Sequence, residues 1–139
     1  MQSQEFELFS TTLQHRLQMD EQVFALIALG SMAERQRVDE WSDHDFWIVT
    51  AAGKDDELLS DLAWLPNAEQ IVAPIRQAPR YYTVLFSSGH MAEFAIFTPE
   101  TLIKGKLSTY RVMFDRIGLS KTLEQITHQS HAQLYLRLA

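Results

Sequence analysis

The sequence contains no cysteine, which excludes a disulfide framework and a zinc site built from thiolates. It also lacks a long apolar run. A membrane-spanning helix needs roughly 20 consecutive apolar residues, and the apolar stretches here are far shorter. The N-terminus, MQSQEFELF, has neither the basic nor the apolar region of a signal peptide. We therefore expect a soluble, cytoplasmic protein that has no membrane partner.

Positive charge is scarce and scattered along the chain. The 139 residues carry 12 Lys and Arg against 18 Asp and Glu, which gives a net charge of -6 without any long basic block. This composition argues against nucleic acid as a partner and favours a small polar or cationic one. The hydrophobic fraction of 46% suits a single domain over residues 1–139 with a sizeable core.

Hydrophobic spacing predicts helices near both ends of the chain and strands between them. Residues 5–18 carry apolar side chains at intervals of three and four, which is typical of an amphipathic helix. A short helix is predicted within 53–66 and a C-terminal helix over 119–139. Strands are predicted at 23–29, 45–49, 70–75, 81–87 and 91–97, with one further candidate at 109–114.

Two acids stand at the start of the second predicted strand, in the stretch SDHDFWIVT. Residues two apart on a strand point to the same face, so Asp43 and Asp45 can converge while His44 faces away. Neighbouring carboxylates repel each other unless a cation neutralises them, and Mg²⁺ prefers such oxygen ligands. The alternative is that both acids lie in a solvated turn that precedes the strand.

The end of the first predicted strand has features of a phosphate site. Gly30 follows the apolar run directly, and a glycine lets backbone N–H groups approach a phosphate closely. Ser31 adds a hydroxyl donor, and a helix that begins near Met32 would add its positive N-terminal end. Phosphate donors in one loop and metal ligands on the next strand together predict a site for a nucleoside triphosphate with bound magnesium.

A third acid, Glu93, interrupts the apolar strand in SSGHMAEFAIF. An unpaired carboxylate in such a strand is costly to bury, so it needs a cation or water. If its strand lies beside the one that carries Asp45, Glu93 is a third metal ligand or the base that deprotonates an attacking hydroxyl. The alternative is an edge-strand residue that points into water.

Trp41 is the preferred aromatic candidate for stacking on a base.

Gly30-Ser31 followed by Ser42-Asp43-His44-Asp45 and FWIVT resembles the signature of the nucleotidyltransferase superfamily that shares the DNA polymerase beta palm. DEWSDHDF and LFSSGHMAEFAIF are most similar to the aminoglycoside and lincosamide nucleotidyltransferases, and RVMFDRIG resembles a later strand of that group. The resemblance covers roughly residues 22–118. It implies that Gly30 and Ser31 contact phosphate, that Asp43 and Asp45 bind magnesium, and that Glu93 is the third carboxylate or the base.

The resemblance also implies a fold and a reaction. The fold would be α/β (α+β), with a mixed, largely antiparallel sheet of about five strands and helices packed on one face. The reaction would be magnesium-dependent transfer of a nucleoside monophosphate, AMP from ATP, to a hydroxyl of a small acceptor such as an aminoglycoside or a lincosamide. The alternative is a nucleotide-binding regulatory or protein-partner module with little or no turnover.

Two features depart from the resembled family. Antibiotic-modifying members continue into a helical domain that helps bind the acceptor, whereas only about twenty residues follow Gly118 here. A homodimer could supply the absent wall from a second subunit. The loop MAERQRVDEW also carries Arg35 and Arg37, each of which is a candidate phosphate contact or part of a solvated charged loop.

Overall fold

A computed structural model of the chain describes residues 1–138, with side chains through residue 132. The five helices are α1 Ser3–Gln18, α2 Gly30–Ala33, α3 Lys54–Ser60, α4 Pro99–Leu102 and α5 Ser120–Leu138. The six strands are β1 Val23–Leu29, β2 His44–Thr50, β3 Ile71–Ala78, β4 Tyr81–Phe86, β5 Met91–Phe97 and β6 Tyr110–Asp115. Short 3-10 turns cover Arg35–Arg37, Leu62–Trp64 and Ala68–Gln70. The predicted C-terminal helix is confirmed as α5, and residue 139 of that prediction lies outside the described residues.

The six strands form one mixed sheet in the order β3-β4-β5-β2-β1-β6. Strands β2 and β5 run parallel, and the other four neighbouring pairs run antiparallel. The prediction of a mixed, largely antiparallel sheet is therefore confirmed. The predicted count of about five is one strand short, because β6 pairs with β1 along its length and is a full member of the sheet.

Helix α1 covers one face of the sheet. Its apolar stripe, which includes Phe6, Leu13 and Leu17, packs against inward residues of the central strands such as Phe46 and Phe94. Burying a side chain of this size stabilises the fold by roughly 1.5–3 kcal/mol. The even-numbered residues of β2 therefore face α1.

The opposite face is covered by α4, α5 and the segment between α4 and β6. Leu102, Leu107 and Leu123 pack there on Trp47 and on other residues of β1, β2 and β5. The prediction that helices pack on one face was therefore wrong. The physical reason lies in β1 and β2, whose runs are almost continuously apolar and need cover on both faces.

Among the described residues, no helix has both the length and the hydropathy that crossing a membrane requires.

Candidate functional site

Two of the three predicted acids lie side by side in the centre of the sheet. In the parallel ladder between β2 and β5, Asp45 is the direct partner of Glu93. Direct partners on neighbouring strands project from the same face, so the two carboxylates share the face opposite α1. Asp45 is half-buried and Glu93 is exposed. The structure thus brings together an acid pair whose members are 48 positions apart in the sequence.

The environment of Asp45 opposes its ionisation. Burial, and then the charge of Glu93 beside it, raise the pKa of the Asp45 carboxyl to about 6. Both causes act on the ionised form, because a carboxylate loses hydration when buried and is repelled by a like charge. At neutral pH this carboxylate is ionised at a cost in stability. A bound cation would offset that cost, and a hard cation suits carboxylate oxygens best.

Asp43 precedes β2 and is exposed at the same end of the sheet. Its Oδ1 accepts a hydrogen bond of 3.2 Å from the backbone N–H of Met91, the first residue of β5. Asp43 therefore joins the starts of β2 and β5. Among the described residues, no group of three or more His, Asp or Glu side chains is arranged so that it could hold a metal ion.

Gly30 brings the end of β1 close to the acid pair. A Cβ atom at this position would lie 3.7 Å from Oδ2 of Asp45, and the backbone has φ +55°, which L side chains rarely adopt. Ser31 follows and is half-buried. The helix expected near Met32 begins at Gly30 and spans four residues, so its dipole is much weaker than that of a long helix.

Arg35 and Arg37 are both engaged away from the acid pair. Arg35 forms an ion pair of 2.9 Å with Glu7 of α1, the helix that covers the opposite face of the sheet. Arg37 pairs with Glu34 at 2.9 Å. All of these side chains keep much of their surface in water, where such pairs contribute about 0–1 kcal/mol. The structure does not bring either arginine to Asp45.

A cavity of about 310 Å³ opens beside the acid pair. It is lined by both acids and by other side chains of β1 to β5 and of the segment between α4 and β6, among them Trp47, Tyr81 and Lys106. Trp41 does not line it and is 81% exposed in the loop before β2. Aromatic surface beside two carboxylates and a lysine suits a polar ligand that carries a ring.

Lys106 is a candidate site residue that the sequence reasoning missed. It follows Gly105, and any side chain at Gly105 would overlap the ring of Trp47, which lies two residues after Asp45 on β2. This close approach carries Lys106 to the cavity. The available signal was the glycine between two lysines in KGKL, because a glycine often marks a close contact between backbone and a large side chain.

Comparison with protein-family models and with curated proteins gives no match for this chain. The resemblance to the nucleotidyltransferases therefore stays a prediction that depends on the quoted motifs and on the geometry of the acid pair.

Proposed function

We propose that the chain is a magnesium-dependent nucleotidyltransferase that transfers a nucleoside monophosphate, AMP from ATP, to a hydroxyl of a small molecule. The observation that carries the proposal is the in-register pair of Asp45 and Glu93 with Gly30 beside Asp45. A glycine turn that can approach a phosphate and a carboxylate pair that needs a cation are the two halves of a triphosphate site.

The chemistry of the carboxylates, rather than a ready arrangement of three ligands, supports magnesium. Asp43 and Asp45 would hold the ion, with Glu93 as a third oxygen ligand or as the base. Hard carboxylate oxygens are the ligands that Mg²⁺ prefers. Burial and the neighbouring Glu93 make the ionised form of Asp45 costly, and a cation would offset that cost. When bound, the ion would offset the charge of the triphosphate and of the departing pyrophosphate.

The reaction follows from these positions. The acceptor oxygen attacks the alpha phosphorus in line, so that a new O–P bond forms while the bond to the beta phosphate breaks and pyrophosphate leaves. Glu93 takes the proton of the acceptor hydroxyl, since an exposed carboxylate beside the site can reach a bound hydroxyl. Gly30 and Ser31 bind phosphate oxygens through N–H and O–H donors.

Lys106 replaces the arginines as the cationic contact in this proposal. It lines the same cavity as the acid pair, whereas Arg35 and Arg37 are paired with Glu7 and Glu34. An ammonium group at the edge of the cavity would bind the outer phosphates as a point charge. The acceptor belongs to a class that the resemblance implies, a small polyhydroxylated molecule such as an aminoglycoside or a lincosamide.

One observation favours the rival function, a nucleotide-binding regulatory module with little turnover. One carboxylate oxygen of Asp43 accepts a hydrogen bond from the N–H of Met91. The described residues contain no group of three side chains arranged to hold a metal ion. A site with two acids can bind a nucleotide with its metal and still align the reacting atoms poorly, which costs rate more than affinity.

Calorimetry of ATP with magnesium tests the shared part of both functions. Asp45→Asn should abolish the magnesium-dependent part of the affinity, because the remaining groups cannot offset the triphosphate charge. Asp56→Asn, at an exposed position of α3, is the matched control and should bind like the parent. Pyrophosphate release with a panel of hydroxyl acceptors then separates an enzyme from a module. Equal binding by Asp45→Asn and the parent would remove the basis of the proposal.

A further inference from the structure

A chain of hydrogen-bonded polar side chains crosses the apolar core directly behind the acids. His44 lies between Asp43 and Asp45 and points to the opposite face, where it is 0% exposed. Its Nε2 lies 2.8 Å from Oγ of Ser10, and its Nδ1 lies 2.8 Å from Nε2 of His90. The His44 ring also stacks on Phe6 of α1, with ring centroids 3.9 Å apart.

The hydrogen-bonding partners of Ser10, His44 and His90 indicate which ring nitrogens carry a proton. The hydroxyl of Ser10 donates to the carbonyl of Phe6 at 3.0 Å. Nε2 of His44 also lies 3.2 Å from that carbonyl, which can only accept, so we assign the proton of His44 to Nε2 and the acceptor role to Ser10 Oγ. A neutral imidazole has one N–H, which makes Nδ1 of His44 the acceptor for Nε2–H of His90. Both imidazoles are buried among apolar side chains, which favours their neutral form.

The backbone after His90 links these side chains to the candidate site. His90 is followed by Met91, whose N–H donates to Oδ1 of Asp43. Strands β2 and β5 are parallel and therefore cannot be aligned by a tight hairpin turn. The side-chain contacts at their starts thus help to set the register that places Asp45 opposite Glu93.

We propose that His44 and His90 are positioning residues for the acids. Their hydrogen-bonded chain to α1 holds the starts of β2 and β5 together and thereby fixes Asp43 on the Met91 amide and Asp45 beside Glu93. Neither imidazole touches the cavity that contains the acid pair. The metal-binding consequence rests on the proposed function, whereas the structural consequence does not.

Two substitutions of His90 separate hydrogen bonding from packing. Gln places an N–H donor close to the position of Nε2, whereas Leu fills the space without any donor. We expect His90→Leu to speed hydrogen exchange of the Met91 amide and to weaken magnesium-dependent ATP binding by about 10–100-fold, the usual effect of losing a group that orients metal ligands. His90→Gln should restore both measurements towards the parent. His15→Gln, at an exposed position of α1, should change neither.

Nitrogen-15 NMR of the parent gives a measurement that needs no variant. Both imidazoles should carry their proton on Nε2 at pH 7, and a proton on Nδ1 of His44 would overturn the proposal. So would a folded His90→Leu with parental amide exchange and parental ATP affinity. If the parent itself does not bind ATP with magnesium, the proposed function fails, and the imidazole tautomers and the Met91 exchange rate still decide whether the positioning chain exists.

Discussion

Replacing Asp45 by asparagine should stabilise the fold while it removes the proposed magnesium binding. The pKa of Asp45 is raised from 3.8 to about 6 in the folded protein. Because its pKa is raised on folding, the carboxyl binds more protons in the folded protein than in the unfolded one. Its contribution to the free energy of unfolding is therefore fully present below pH 3.8 and is lost as the pH rises through 6. Above pH 6 the ionised Asp45 is therefore a destabilising group, and the neutral amide of asparagine removes that charge.

The size of the effect follows from the pKa. The rise from 3.8 to about 6 corresponds to about 3 kcal/mol at 1.36 kcal/mol for each pKa unit. Asp45 is only half-buried, and water screens part of the interaction, so we expect a gain of about 1–2 kcal/mol in the free energy of unfolding. The gain should be constant above pH 7 and should disappear below about pH 4, where the parent carboxyl is protonated in both states.

Urea denaturation of the parent and of Asp45→Asn from pH 4 to pH 8 measures this difference. The buried imidazoles of His44 and His90 also destabilise the fold at low pH, because their pKa values are lowered, but they are present in both proteins and their effect cancels. Asp56→Asn is the control for the loss of a carboxylate at an exposed position. Saturating magnesium with ATP should stabilise the parent and leave Asp45→Asn unchanged. A variant that is no more stable than the parent at pH 7.5 would refute the assigned repulsion.

Three further changes test other groups of the molecule. If Glu93 is the base, Glu93→Gln should lower turnover by about a hundredfold or more and retain ATP affinity. If Glu93 is a metal ligand, magnesium affinity should fall together with turnover. A magnesium titration of the rate separates the two roles. Lys106→Ala should weaken ATP binding by about tenfold in calorimetry, and Lys104→Ala, whose side chain lines a neighbouring cavity instead, should not. Arg80→Leu should cost about 1–3 kcal/mol in urea denaturation, because it removes the cation that lies 2.5 Å from the carboxylate of Asp55, a residue that is only 3% exposed. A loss below about 1 kcal/mol would mean that the pair behaves as an exposed one.

The elements of the fold follow closely from local patterns. The predicted strand at 91–97 coincides with β5, and the Gly89 turn before it, with φ +89°, joins it to β4 in an antiparallel hairpin. Pro74 lies in β3, which is at the edge of the sheet, where a proline is tolerated. Alternating polarity, turn glycines and edge prolines act over a few residues, so a single sequence contains them in full.

Contacts between distant segments did not follow from the sequence. The spacing of charges in MAERQRVDEW could not tell whether Arg35 reaches a ligand or Glu7, since an exposed arginine can adopt many conformations of similar energy. Lys106 was missed because its position depends on how Gly105 packs against Trp47. His44 was expected to face away from the acids, and it does, but its hydrogen bonds to Ser10 and His90 require α1 and the β4–β5 hairpin to meet.

The candidate site depends on the one parallel pairing between strands of the described sheet. Asp45 is the second residue of β2 and Glu93 is the third residue of β5, so both acids lie near the starts of their strands. An antiparallel pairing would have placed the start of β5 beside the end of β2, with the two carboxylates several residues apart. The parallel pairing also brings together the loops that precede β2 and β5, which is why Asp43 can accept from Met91. Each acid could be identified from its own strand, but the proposed site requires this pairing, and nothing within either strand specifies it.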